Sequence, residues 1–415
     1  MVGSQLEKPE ALGVNLMEEI LVHEEGTPES DTAAEKKKTN LFWEICAVAA
    51  VFLLVIAFSM HQDSEESHIQ PENQPQLSIQ TQQDVETVPP TEPSQTILVP
   101  PYDEEVLLCA PFSKEVFDHQ KTVSATYKEG NPYRPFVFNC HLQTDGVLRL
   151  SEDDTFSSFL EFPLEAGDNA VTIDNLKTGT TYYYQVTTDD AEKSGTIRTA
   201  RSNRFLSIPG VKNARDIGGY TTRDGKTVKQ GLLIRGTEMD GLVEPKYYLP
   251  ADAIEQMQET FGFVYDMDLR RSSIHKGAYR TRMGSDVLHR FYGSPQYDQI
   301  FTKAYRSRLR SIFKDLADPD NYPMYLHCTY GKDRTGTVIF LLQGVLNMSG
   351  KDMMLEYELS AYVYPTIIEE AKMNSVIRRL NTYRGDTLQE RIITYLTTAV
   401  GVTQEEIESI RNIFL

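Results

Sequence analysis

The chain has 415 residues, of which 40% are hydrophobic, and its formal net charge is −19. Such an acidic chain is a poor general binder of nucleic acid, and four cysteines without a CxxC pair exclude a disulfide framework or a zinc ribbon. The acidic excess lies in the first 200 residues and the remainder is slightly basic, so an anion site is expected in the C-terminal half.

The first 60 residues contain a polar segment followed by one long apolar run. Residues 1–40 are polar and acidic, which predicts a disordered tail. Residues 41–60 carry a single charge, Glu44, near one end. At a rise of about 1.5 Å per residue, about 20 residues cross the hydrocarbon core of a bilayer, so this run predicts a transmembrane helix. An amphipathic core helix would show polar residues every few positions, and a signal peptide is usually shorter and nearer the start of the chain.

The charges that flank this run predict its orientation. Lysines at positions 36–38 precede it, and no lysine or arginine follows before Lys114. Basic residues stay preferentially on the cytoplasmic side of a membrane. We therefore expect a single-pass protein of the cell membrane, with the amino terminus in the cytoplasm and the rest of the chain, including its catalytic part, outside.

The two segments that follow differ in composition. Residues 61–105 are rich in Gln, Glu, Pro and Ser, which predicts an extended stalk. Between residues 106 and 200, short runs such as FVFNCHL and YYYQVTT alternate apolar and polar positions and are separated by turn residues. This pattern predicts an antiparallel, all-β sandwich.

One stretch of this segment, residues 176–186, resembles the part of a fibronectin type III domain in which a Leu, a turn, a Thr and a Tyr lead into a strand. The resemblance implies that Tyr182 is the tyrosine-corner residue and that Tyr184 and Val186 face the core. Thr178 stands where that family usually has proline, and a buried Trp is missing from the segment.

Cys109 and Cys140 both fall within the predicted sandwich. Outside the membrane they could form a disulfide. The alternative is two buried free thiols, and the sequence leaves both possibilities open.

The chemistry is expected in residues 205–415. There an apolar strand at 324–326 runs into the loop HCTYGKDRTG, after which residues 335–346 predict a helix. Backbone N–H groups of such a loop and the positive end of the helix form an anion cradle. Arg334 can bind two phosphate oxygens at once. The same positive field lowers the pKa of the Cys328 thiol, so that its thiolate can attack a bound phosphoryl group and form a cysteinyl-phosphate.

The other residues of the loop are expected to support or line this cradle. His327 would hold the loop by hydrogen bonding rather than act as a base. Thr335 would donate a hydrogen bond to the Cys328 sulfur and make it a better leaving group in the second step. The residues expected to contact the substrate are His327, Thr329, Tyr330, Gly331, Lys332, Thr335 and Gly336.

The loop resembles that of the bacterial cysteine-dependent tyrosine/lipid phosphatases, and three further segments match the same family. They are residues 213–220 (NARDIGGY) with Arg235 downstream, residues 268–270 (DLR), and the final stretch 401–415. The resemblance implies an α/β fold in which helices flank a mostly parallel sheet, as the alternation of strands and helices also does. Tyr330 and Gly236 depart from the family, which usually has a small residue and a serine there.

The leaving oxygen needs a proton, so a carboxylic acid must lie within reach. Asp333 is the first candidate because its position in GKDR places it beside the phosphate. Asp268 is the second, with a structural role beside Arg270 as its alternative. Asp216 is expected to pair with a nearby arginine.

The resemblance also bears on the substrate and on residues 351–380. It implies that Lys332 makes an extra contact to a multiply phosphorylated ligand, whereas the alternative is a solvated lysine at the rim. Residues 351–380 predict two helices, which form a lid in the family but are otherwise ordinary packing elements.

The sequence thus predicts a membrane-anchored phosphatase that acts on phosphomonoesters, with phosphotyrosine in proteins as the first choice and dual specificity open. A phosphoinositide or inositol-phosphate phosphatase and a non-catalytic phosphate-binding module are the alternatives. No metal or other cofactor is expected, because the sequence has no cluster of metal ligands.

Overall fold

The computed structural model describes residues 97–109, 132–274, 280–364 and 370–415. All of them belong to one compact unit, Pro89–Leu415. The predicted tail, the predicted membrane span and most of the predicted stalk lie outside the described residues. Within the described ranges, no helix has the length and apolar character needed to cross a bilayer.

The first part of the described chain consists of antiparallel strands. Strand β1 has alternating buried and exposed residues and pairs with β4. A four-stranded sheet has the order β3-β2-β5-β6, and its buried side chains share one core with β1 and β4. The bounds are β1 Phe136–Leu142, β2 Gly146–Ser151, β3 Phe159–Leu164, β4 Gly167–Ile173, β5 Thr181–Thr188 and β6 Glu192–Arg198.

The turn before β5 has two contacts that concern the predicted resemblance. The Tyr182 hydroxyl accepts a hydrogen bond from the backbone N–H of Lys177 at 2.7 Å. The backbone N–H of Thr178 donates to Oε1 of Gln230 at 3.0 Å. A proline has no N–H to donate, so threonine at this position allows a hydrogen bond to the second half of the chain.

Cys109 and Cys140 are both buried and free in the structure. Cys140 lies in the core shared by the two antiparallel sheets. Cys109 packs in a separate cluster with Phe205, Leu359 and Tyr362. Of the two alternatives that the sequence leaves open, the structure thus has the free thiols.

The second part is an α/β fold around a five-stranded sheet of order β10-β9-β11-β8-β7. Four strands are parallel and β7 is antiparallel to β8. The prediction of an α/β fold with a mostly parallel sheet is confirmed. The bounds are β7 Arg215–Asp216, β8 Leu233–Gly236, β9 Tyr265–Asp268, β10 Leu288–Phe291 and β11 Met324–His327.

Helices cover both faces of this sheet. On β11, Met324 and Leu326 belong to the larger core, whereas Tyr325 points into the smaller core beneath helix α1. This division follows from the alternation of side chains along a strand. The helices are α1 Ala251–Phe261, α2 Lys303–Leu316, α3 Asp333–Val345, α4 Gly350–Glu358, α5 Glu370–Leu380, α6 Leu388–Tyr395 and α7 Gln404–Phe414.

The register of the parallel strands determines where the cradle loop lies. His327 at the end of β11 is paired with Gly236 on one side and with Asp268 on the other. The carboxyl ends of three strands therefore meet where the loop leaves the sheet, which is the edge where open α/β sheets bind ligands. Helix α3 begins at Asp333, two residues before the predicted start.

Candidate active site

Residues 328–332 connect β11 to α3 and form the cradle loop. Cys328 lies at its base with 4% of its surface exposed, and Thr329, Gly331 and Lys332 are buried as well. Because α3 starts at Asp333, its first N–H groups point toward the loop and favour a bound anion. The loop thus has the position and the polarity that phosphate binding requires.

The environment of Cys328 favours its thiolate. Burial by itself raises the pKa of this thiol, but the Arg334 guanidinium and the neighbouring polar groups of Thr335 outweigh burial. The pKa therefore lies below its ordinary value. Because a lowered pKa gives a larger thiolate fraction at neutral pH, Cys328 is the candidate nucleophile of the site.

Arg334 has a donor that the described protein does not use. Its Nη1 atom is buried, and no hydrogen-bond partner for it exists among the described residues. A buried guanidinium nitrogen without a partner is costly unless a ligand accepts from it. The geometry fits a phosphoryl oxygen at this position.

Two buried side chains from the 213–220 segment and β8 hold the loop from below. The Asn213 amide donates to the carbonyl oxygens of Tyr330 at 3.2 Å and Gly331 at 3.1 Å. The Arg235 guanidinium also donates to the Gly331 carbonyl. These bonds hold the two loop carbonyls on the side of Asn213 and Arg235.

Glu356 on α4 neutralises the two arginines of this support. Its carboxylate lies 2.6 Å from Arg235 and 3.0 Å from Arg215, and all three side chains are almost wholly buried. Burial raises the pKa of Glu356, but Arg235 and Arg215 lower it below its ordinary value. The carboxylate is therefore ionised at neutral pH and compensates two buried positive charges.

Two glycines allow a close backbone contact beside the cradle. Gly331 has φ +62°, and a Cβ atom on it would lie 2.4 Å from the Gly236 carbonyl oxygen. A Cβ atom on Gly236 would lie 2.3 Å from the Tyr325 hydroxyl. The departure from serine at position 236 therefore has a steric reason, because Tyr325 occupies the space.

His327 is held beneath the loop by a carboxylate. Its Nε2 atom lies 3.0 Å from Asp266, and its Nδ1 atom is 3.2 Å from the Cys328 carbonyl oxygen. Burial lowers the pKa of His327, but Asp268 and Asp266 outweigh burial and raise it to about 9. A protonated ring in this position can support the loop, and it has no free lone pair with which to act as a base.

The two candidate acids have different surroundings. Asp268 is fully buried and bonds the backbone N–H and the guanidinium of Arg270, so it has no exposed oxygen for a substrate. The Asp333 side chain is 25% exposed and lies 3.2 Å from Lys332. This geometry favours Asp333 as the acid and assigns to Asp268 the structural alternative. Asp216 pairs with Arg204 at 2.6 Å.

Tyr330 and Lys332 are the remaining unusual residues of the loop. The Tyr330 hydroxyl donates to Glu244, and its ring contacts Tyr247 and Tyr364 edge to face. Lys332 is buried, so it is not the solvated rim lysine of one alternative. Thr335 and Gly336 are buried in the first turns of α3.

Sequence reasoning missed two residues of the site, Glu356 and Tyr297. Glu356 is a buried charge on a helix that otherwise has an ordinary pattern, and Tyr297 lies in a short 3-10 turn, Tyr297–Phe301. Neither has a local signal in the sequence. Within the described ranges, no group of three or more potential metal ligands occurs.

Comparisons with known proteins match the second part of the chain to one family. Residues 206–415, half of the chain, match the model described as "Tyrosine phosphatase family". The chain is 29% identical over 175 residues to a Cupriavidus necator protein named "Putative tyrosine-protein phosphatase", which covers 37% of this chain. The match spans 61% of that relative's length, which is less than two thirds.

Two solved structures are also similar. The core catalytic domain of PP-IP phosphatase SIW14 from S. cerevisiae, in complex with citrate, has 13% identity and a TM-score of 0.27, covering 45% of this chain and 92% of its own. A second structure of the Siw14 catalytic core has 14% identity and a TM-score of 0.26, covering 38% of this chain and 83% of its own.

Proposed function

The chain belongs to the tyrosine phosphatase family, and from this premise we propose that it hydrolyses phosphomonoesters, above all phosphotyrosine in proteins, through a cysteinyl-phosphate. One observation carries the proposal. The Cys328 thiol, whose pKa is lowered, lies beside Arg334, which has a buried Nη1 donor without a partner in the described protein. A nucleophile and a phosphate-binding donor are thus adjacent.

In the first step the Cys328 thiolate attacks phosphorus in line with the leaving oxygen. The sulfur–phosphorus bond forms as the bond from phosphorus to the leaving oxygen breaks. Arg334 and the loop N–H groups stabilise the charge on the equatorial oxygens. Asp333, as a carboxylic acid, donates its proton to the leaving oxygen, which departs as the free hydroxyl.

In the second step a water molecule attacks the phosphorus of the cysteinyl-phosphate. The Asp333 carboxylate accepts a proton from this water, and the sulfur–phosphorus bond breaks to give inorganic phosphate. The Thr335 hydroxyl is buried and has no partner among the described residues, so it is available to donate a hydrogen bond to the departing thiolate. The thiolate and the protonated acid are then ready for another turnover.

Aromatic residues beside the loop support phosphotyrosine as the substrate. Tyr330 packs edge to face against Tyr247 and Tyr364, and aromatic rings favour such contacts with a further ring. The alternative, an inositol phosphate, would depend on Lys332, but the ammonium of this lysine is already paired with Asp333 at 3.2 Å. We therefore place phosphotyrosine first.

We further propose that residues 41–60 anchor the protein in the cell membrane by one crossing, with a stalk at 61–105 and the catalytic domain, residues 205–415, outside. The asymmetry of the flanking lysines supports this orientation. Residues 106–200 are proposed to be a fibronectin type III-like domain. The strand order β3-β2-β5-β6 and the hydrogen bond between Lys177 and Tyr182 support it.

A substrate panel on the full chain and its Cys328→Ser variant tests the activity. The panel contains a phosphotyrosine peptide, a phosphoserine peptide, phosphoinositides and inositol hexakisphosphate, all with a chelator present. We expect phosphate release by the parent, fastest from the phosphotyrosine peptide, and none by the variant. No release from any substrate under reducing conditions would leave a phosphate-binding module in place of the enzyme.

A further inference from the structure

Tyr297 has an unusual backbone conformation near the cradle. It opens the 3-10 turn Tyr297–Phe301 with φ +50°, a left-handed conformation that residues other than glycine adopt rarely. Its side chain is buried. Strained residues persist where the surrounding structure holds them, and they cluster at functional sites.

The conformation brings the Tyr297 hydroxyl to the candidate acid. The hydroxyl donates a hydrogen bond to Oδ1 of Asp333 and lies 2.8 Å from the hydroxyl of Tyr357. Since Tyr297 has one hydroxyl proton and gives it to Asp333, the Tyr357 hydroxyl must donate to Tyr297. Burial and the Asp333 charge raise the pKa of Tyr297, so its hydroxyl keeps its proton and acts as a donor.

Two other elements fix Tyr297 in place. Its backbone N–H donates to the Thr337 hydroxyl at 3.0 Å, and that hydroxyl donates to the Asp333 carbonyl at 2.8 Å. The Lys372 ammonium on α5 lies 5.5 Å from the centre of the Tyr297 ring. The backbone of Tyr297 is thus bonded to α3, and its ring contacts a side chain of α5.

The contacts distinguish the two oxygens of Asp333. The Tyr297 hydroxyl and the Lys332 ammonium both contact Oδ1. The side chain is partly exposed, and Oδ2 is the oxygen left for a substrate within the described part of the chain. A carboxylic acid transfers its proton efficiently only when the correct oxygen faces the leaving group.

We propose that Tyr297 is a positioning residue for the reaction, whose hydroxyl holds Oδ1 of Asp333 and thereby turns Oδ2 toward the leaving oxygen. The inference rests on the proposed function, because it assumes that Asp333 is the acid. Asp333 is the first residue of α3, the helix that follows the cradle loop, and the bond from Tyr297 orients its carboxyl group there. Tyr357 acts one bond further away, since it donates to Tyr297.

The test compares full-chain variants on two aryl phosphates, p-nitrophenyl phosphate with a good leaving group and phenyl phosphate with a poor one. General acid catalysis matters more for the poor leaving group. We expect Tyr297→Phe to lower kcat on phenyl phosphate about tenfold, the factor that corresponds to the loss of one hydrogen bond. The loss on p-nitrophenyl phosphate should be clearly smaller.

Tyr395→Phe is the matched control. The Tyr395 hydroxyl is buried and donates to the Ile300 carbonyl at 2.7 Å, in the same 3-10 turn, and none of its hydrogen bonds involves Asp333. This variant should leave the ratio of the two kcat values unchanged. Tyr357→Phe should change the ratio in the same direction as Tyr297→Phe but less, which provides a second variant if Tyr297→Phe does not fold.

The Asp333→Asn variant distinguishes a failure of the inference about Tyr297 from a failure of the assignment of Asp333 as the acid. If it changes the ratio of the kcat values strongly and Tyr297→Phe adds nothing in that background, the two residues act as one unit. If Asp333→Asn changes the ratio but Tyr297→Phe and Tyr357→Phe do not, the inference about Tyr297 fails and the proposed function stands. If the parent enzyme hydrolyses neither phosphate, or Asp333→Asn leaves the ratio unchanged, the acid assignment fails and the inference fails with it.

Discussion

Arg334 and Thr335 follow the cradle loop into the first turn of α3, and both lower the pKa of the Cys328 thiol against the effect of burial. A buried cysteine without such neighbours would be a less reactive thiol. The reactivity expected of Cys328 thus depends on Arg334 and Thr335 as well as on the cysteine itself. Because both residues are close to Cys328 in sequence, the motif alone indicates a reactive thiol.

The rate of alkylation by iodoacetamide measures how far the pKa of the Cys328 thiol is lowered. We expect Cys328 in the parent to react faster at pH 7 than an unperturbed thiol, because a lowered pKa gives more thiolate. Arg334→Ala removes the cationic neighbour, so the pKa rises and the rate at pH 7 falls. Mass spectrometry of the peptide that contains Cys328, followed across pH, gives the rates.

Arg310→Ala is the control for this measurement, since Arg310 bonds Glu406 elsewhere on the surface of the domain. It should leave the alkylation profile unchanged. Equal profiles for the parent and Arg334→Ala would show that Arg334 does not lower the pKa of Cys328.

At the scale of elements, helix α4 joins strands β7 and β8 to the cradle loop through one carboxylate. Glu356 contacts Arg215 on β7 and Arg235 on β8, and Arg235 in turn donates to the Gly331 carbonyl. Removing one member of a buried ionic group leaves the others without compensation. The shape of the loop therefore depends on a residue of the helix that follows α3.

Replacing the Glu356 carboxylate tests whether the shape of the cradle loop depends on it. Glu356→Gln should lower the free energy of unfolding by about 3–5 kcal/mol, because two buried guanidinium groups lose their counter-charge. It should also reduce phosphatase activity, since Arg235 holds the loop. Urea denaturation and the rate of phosphate release measure the two effects.

The exposed ion pair of Arg149 and Glu161, 2.9 Å apart, serves as the control for the buried Glu356 group. Glu161→Gln should cost less than about 1 kcal/mol, as exposed ion pairs do. Similar costs for the two variants would contradict the role of Glu356 as a buried counter-charge.

At the scale of the whole molecule, the antiparallel sheets and the five-stranded sheet of the α/β fold are joined by polar contacts. The Arg204 guanidinium donates to the Asn175 carbonyl at 2.7 Å and to Asp216 at 2.6 Å. The Gln230 amide bonds both the N–H and the carbonyl of Thr178, at 3.0 and 2.9 Å. We expect the two parts to unfold together.

Calorimetry of the full chain should therefore show one cooperative transition for these two parts. Gln230→Ala should lower the free energy of unfolding by about 1–2 kcal/mol through lost hydrogen bonds. Gln256→Ala, at an exposed position on α1, should change it by less than about 0.5 kcal/mol. Two separate transitions in the parent would contradict the coupling.

The sequence by itself determined the elements that local patterns encode. Alternating residues predicted the strands around Phe136–Leu142 and Thr181–Thr188, and the cradle motif predicted the helix at Asp333–Val345. The residues that create this motif lie within seven positions of one another. Such short distances along the chain can be interpreted without knowing how the sheet is assembled.

Only the tertiary structure decided which distant residues complete the site. Glu356 and Arg215 are 141 residues apart, and Tyr297 and Asp333 are 36 apart. The alternatives for Asp268 and Lys332 also depended on burial, which a single sequence does not show. Strand register and helix packing bring these groups together, and their free energies depend on desolvation and charge pairing at that final position.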